Sequence, residues 1–185
     1  MIVQILFICL CFLADGVLVV LLPHSFLPGS IVISPCLGLS ALVLMERKMD
    51  FKDSFLLFII FGLLYDIFIS HSLLACTISF AIVSLLVFVW QKHLTESVLE
   101  SSLLVIVTIF VKEFLIYFMM TLLKETLMSF DAWLTSRAVF TILVNGIFVV
   151  SIVWVSRTIE DMRLLREKRI RKEETISWWK ISSKR

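Results

Sequence analysis

The sequence predicts an all-α integral membrane protein, a six-transmembrane-helix bundle, on three observations. The 185 residues are 60% hydrophobic, with mean hydropathy +1.04, against about 45–50% apolar residues in soluble domains. Apolar runs of about 20 residues, the length that a bilayer core requires, recur along the chain. Lys and Arg gather in alternate loops, the pattern that sets membrane orientation. No room is left for a sizeable soluble domain. The formal charge of +2 says less than its distribution does.

Segment one covers residues 1–22 and carries Asp15–Gly16 two thirds of the way along. No Lys or Arg precedes its apolar core and no small-x-small site follows, so a retained helix is expected rather than a secretory signal. The turn PHSFLPGS comes next. Segment two, 31–45, is short, and Pro35 and Gly38 interrupt it. A kink or a partly re-entrant course is expected there. The charged loop ERKMDFKD precedes segment three, 51–70, and a tight SHS turn opens segment four, 73–90. Segment five covers 99–123 and segment six 133–156.

Counting six spans puts Arg47, Lys48, Lys52, Lys92 and the C-terminal tail on one side, with only Lys124 and Arg137 on the other. Both termini are therefore expected in the cytoplasm. The division is a membrane domain, 1–156, and a basic cytoplasmic tail, 157–185, with ten Lys and Arg against five Asp and Glu. Ile159, Met162 and Leu165 recur at helical spacing, so the last helix is expected to run on past the membrane. Trp178–Trp179 suits a lipid interface, and anionic lipid or a docking partner is the expected contact of the tail.

Segment three, FKDSFLLFIIFGLLYDIFIS, places Gly62 and Asp66 four residues apart, on one helical face. A carboxylate inside a membrane helix costs roughly 2.5–3.5 kcal/mol on insertion scales. Glycine lets another backbone come close. This face is expected to meet protein, either in packing or in partner binding. Asp15, Lys112, Glu113, Arg137 and Asn145 are further polar groups within spans, each needing a partner or water. Depth along the helices, at about 1.5 Å per residue, predicts Lys112 with Asp15 and Arg137 with Asp66. Lys112 and Glu113 are neighbours about 100° apart, so they are not expected to serve one pocket. Buried pairs that fix packing, a partner-binding face, and a transport or proton path are the three readings of these charges.

The residues of soluble chemistry are missing. His24, His71 and His93 lack metal-ligand spacing. Five glycines form no phosphate loop, and no nucleophile elbow exists. Cys9, Cys11, Cys36 and Cys76 all lie in apolar runs without a CxxC, as small packing residues do. No enzyme activity, cofactor, metal or nucleic acid is expected.

A Pro in a short second helix, then GLLYDIF and a tight polar turn into a fourth helix, resembles the MreD family of rod-shape-determining membrane proteins. Pro35 matches the family's Pro-Asp opening of helix two, with Cys36 in place of the Asp. Gly62, Leu63 and Asp66 match its Gly-Leu-x-x-Asp, while Leu73, Leu74 and Ala75 stand where a later Gly is usual. The resemblance spans roughly residues 1–156, although its specific part is about ten residues. It implies a non-enzymatic scaffold of the bacterial cell-wall elongation complex in the cytoplasmic membrane. Its partner would be MreC and, through it, MreB, RodA and a class B penicillin-binding protein. It also implies a fold similar to the substrate-binding component of energy-coupling-factor vitamin transporters. That component is the alternative function. Helix one offers only Ala14 and Gly16 for docking a coupling subunit, and the outer loops are sparse. Both features favour the scaffold.

Overall fold

The computed structural model describes residues 2–21, 32–46, 49–70, 74–93 and 97–182. Among these the chain is helical throughout its regular structure: α1 (Ile2–Leu21), α2 (Leu37–Glu46), α3 (Phe51–Tyr65), α4 (Ala75–Trp90), α5 (Val98–Leu122), α6 (Phe130–Trp133) and α7 (Val139–Ser182). A π-helical turn, Asp66–Ser70, extends α3, and another, Leu134–Ala138, joins α6 to α7. Three stretches are long and apolar enough to cross a membrane: Val3–Leu21, Val98–Leu122 and Phe130–Arg166. The shorter apolar helices are Leu37–Glu46 and Ala75–Trp90. The turn PHSFLPGS, Arg47–Lys48 and the Trp178–Trp179 side chains lie outside the described residues.

The chain divides into two compact units, Met1–Val153 and Trp154–Arg185. In the second, the described side chains of Met162, Leu164 and Leu165 are exposed.

The first unit is built around α2. All ten residues of this helix are buried, and α1, α3, α4 and α5 all pack against it. At about 1.5 Å per residue it is about 15 Å long, half of a bilayer core. The sequence reading gave this segment one interrupted span from 31 to 45. Instead, residues 32–36 are non-helical and the helix starts only at Leu37. Pro35 explains the late start, because it biases Ser34 away from helical dihedrals and has no N–H to give.

A hairpin of α3 and α4 flanks α2. Phe51, at the start of α3, packs on Phe88, near the end of α4, with ring centroids 4.4 Å apart. Gly62 sets the closeness of the two helices. A Cβ placed there would lie 2.8 Å from the Thr77 Cα, so only hydrogen fits. An aromatic cluster ties α1 into the same core: Phe12 stacks on Phe61 at 4.6 Å and meets Tyr65 edge-on at 6.2 Å. The outward side of α1, with Leu6, Leu13 and Val17, is exposed, as a helix surface bordering lipid would be. Where the surroundings are as apolar as the core, packing and internal hydrogen bonds must hold helices together.

Candidate functional site

Several buried polar residues of the first unit converge on the non-helical stretch 32–36. A backbone without helical bonds cannot stay unsatisfied in an apolar interior, and side chains from α3 and α7, with one backbone carbonyl of the π-helical turn before α7, supply the missing partners. The Asn145 amide is central. Its Oδ1 accepts from the Cys36 N–H at 2.8 Å, and its Nδ2 donates to the Ser34 carbonyl, also at 2.8 Å. The Ser34 N–H donates to Thr141 Oγ1 at 3.3 Å, and the Val32 N–H to the Ser136 carbonyl at 3.3 Å. Tyr65, at the end of α3, donates its hydroxyl to the Pro35 carbonyl at 3.4 Å.

Asp15 completes the arrangement from α1. Its two oxygens accept from the N–H groups of Leu37 and Gly38, each at 2.8 Å, and the side chain is fully buried. This caps the first turn of α2, where N–H groups have no helical partner. The positive end of the helix dipole also favours a carboxylate there. Asp66 does the same for α4. It accepts from the Cys76 and Thr77 N–H groups at 3.0 and 2.8 Å and from Thr77 Oγ1 at 2.6 Å. Leu74 just before α4 sits at φ 62°, a left-handed conformation costly for a side-chain-bearing residue. The Asp66 bonds hold the helix start that follows it.

The charged residues pair differently from the depth-based expectation. The ion pairs among the described residues join neither Lys112 to Asp15 nor Arg137 to Asp66. Glu113 takes both cations: its Oε1 is 2.7 Å from Lys112 Nζ and its Oε2 is 2.9 Å from Arg137 Nε. Both acids assigned to those cations are engaged by helix N-termini instead. The expected divergence of Lys112 and Glu113 also fails. A long lysine side chain can fold back across the 100° between neighbours, and burial of both groups makes that bend worthwhile. Lys112 Nζ reaches further, to Ser34 Oγ at 3.2 Å and Cys36 Sγ at 3.6 Å, and lies 5.4 Å from the centre of the Tyr65 ring.

Thus Asp15, Pro35, Lys112, Glu113, Arg137 and Asn145 meet around residues 32–36. Gly62 and Asp66 face α4 instead, beside Thr77. The sequence reading missed Ser34, Tyr65, Thr77 and Thr141 as bonding partners. It also left Glu46 in a charged loop, whereas the residue ends α2 with 1% of its surface exposed. One signal was available: Arg137, Thr141 and Asn145 recur every fourth residue, the spacing of one helical face.

No group of three or more His, Cys, Asp or Glu side chains placed to hold a metal ion occurs among the described residues. No family model matches the chain, and neither a curated protein nor a solved structure matches it.

Proposed function

We propose that the protein is a non-enzymatic membrane scaffold of the bacterial cell-wall elongation complex, acting as an MreD-type partner of MreC. In this reading six segments span the cytoplasmic membrane and both termini are cytoplasmic. The bundle holds a single-pass partner, while the basic tail attaches to anionic lipid or another subunit. RodA, a class B penicillin-binding protein and MreB are reached indirectly. The observation that supports this reading is the use made of the buried charges. Asp15, Asp66, Asn145 and the Lys112–Glu113–Arg137 triad bond to backbone or to each other, fixing helix positions. Depletion in a rod-shaped bacterium is the test. Rounded cells with stalled side-wall growth, and co-purification with a single-pass coiled-coil protein, are expected.

The substrate-binding component of an energy-coupling-factor transporter is the second reading. One observation favours it: unwound backbone next to short helices often lies at substrate and ion sites in transporters, and 32–36 is a non-helical stretch that leads into the short α2 beside Lys112. Loss of vitamin uptake with normal cell shape would select this reading over the scaffold.

A further inference from the structure

At the end of the first unit where α2 closes, a buried carboxylate oxygen lies without a hydrogen-bond partner among the described residues. Glu46 closes α2 and is 1% exposed. Its Oε1 accepts from Ser84 Oγ at 3.1 Å, while its Oε2 is buried and has no hydrogen-bond partner among the described residues. Two further buried side-chain atoms without a partner are Gln91 Oε1 and Ser102 Oγ. Gln91 follows α4 and Ser102 lies in the first two turns of α5. All three atoms belong to the end where α2 and α4 finish and α3 and α5 begin, and α2, α4 and α5 pack on one another.

These three atoms are all oxygens, and each can accept a hydrogen bond or coordinate a cation. Glu46 takes part in no ion pair among the described residues, where the buried ion pairs join Lys112 and Arg137 to Glu113. The C-terminal ends of α2 and α4 add the negative ends of two helix dipoles, which makes an unneutralised carboxylate there still more costly. We propose that Glu46 is the anionic ligand of a monovalent-cation site of sodium size, with Ser84 holding its second oxygen and Ser102 and Gln91 as candidate neutral ligands. One carboxylate among neutral oxygens suits a hard, singly charged ion. Dedicated divalent sites recruit more carboxylates or waters. Burial to 1% also leaves no access for a side chain from another molecule.

The test uses the full chain in lipid nanodiscs, with sodium chloride compared against choline chloride at equal ionic strength. Binding of radioactive sodium is measured in parallel. At a tenfold excess over its Kd, sodium should raise the wild-type Tm by about 3–5 °C. Glu46→Gln keeps an acceptor for Ser84 but removes the charge. It should melt at or above the wild-type temperature in choline, retain no radioactive sodium and show no sodium-dependent rise. Ser84→Ala should weaken sodium binding at least threefold. Absence of a sodium-specific rise in the wild type would overturn the site, as would an equal rise in Glu46→Gln. A carboxylic-acid infrared band that disappears in Glu46→Gln and ignores sodium would assign the charge balance to a proton, and so would also overturn it.

Discussion

Glu113 is the residue on which the buried charges depend, because it is the shared partner of Lys112 and Arg137 at 2.7 and 2.9 Å. Breaking a buried pair by removing one partner typically costs about 3–5 kcal/mol, since the remaining charge keeps its desolvation penalty. Glu113→Gln is therefore expected to lower stability by about that amount, read as a fall in Tm in detergent or nanodiscs. In a double-mutant cycle with Arg137→Gln, a coupling of about 0.5–3 kcal/mol is expected. Asp15 makes a different prediction. Asp15→Asn keeps one acceptor but turns an NH2 group toward an N–H donor at the start of α2. A buried donor left unsatisfied costs about 1–3 kcal/mol. Asp15→Asn should thus be milder than Glu113→Gln, and the order of the two melting temperatures checks this. Composition and helical spacing flagged Asp15, Glu113 and Asn145 as buried polar groups. They could not supply the pairing, because the preferred partners of Asp15 and Asn145 are backbone atoms of 34–38, and every residue has those.

Among the elements, the α3–α4 hairpin and the broken segment before α2 carry the architecture. Gly62 lies so close to Thr77 that an added Cβ would meet backbone at 2.8 Å. Backbone cannot swing aside as a side chain can, so Gly62→Ala must push the two helices apart. Overpacking of this kind costs about 1–3 kcal/mol. Gly16 and Gly146 have nothing within 4 Å of such a Cβ, so Gly16→Ala and Gly146→Ala should leave Tm unchanged or slightly raised, given the helix propensity of alanine. Comparing the three variants separates close approach from backbone flexibility. The spacing of Gly62 and Asp66 was readable in the sequence as one face needing a neighbour. Which helix covers that face was not, because any small-residue surface would fit the pattern. Segment two was legible only as interrupted. Its division into five non-helical residues and a ten-residue helix depends on Asn145, Thr141 and Tyr65, which are remote in sequence.

For the whole molecule, the proposed six spans make a topological prediction. Alkaline phosphatase fused after Ser72 or Leu127 should be active, whereas a fusion after Lys48 or His93 should be inactive, with a cytoplasmic fluorescent reporter showing the converse. Activity after Lys48 would mean that the stretch ending in α2 does not cross. That outcome is physically reasonable for a helix of about 15 Å and decides between a span and a re-entrant segment. The long apolar stretches of Val3–Leu21 and Val98–Leu122 were legible from composition, since a membrane-crossing helix must satisfy its backbone within itself and show apolar side chains almost everywhere.

The sequence alone determined the helical class, the apolar segments and the identity of the polar groups that could not face hydrocarbon, because those follow from residue type and period. The tertiary structure decided what each polar group does. Asp15 and Asp66 became caps of neighbouring helices, Asn145 a brace for an unwound backbone, and Glu113 the bridge between two cations. Hydrogen-bond partners within a few ångströms, at sequence separations as large as the 111 residues between Asn145 and Ser34, are set by how helices pack. No local pattern encodes that distance.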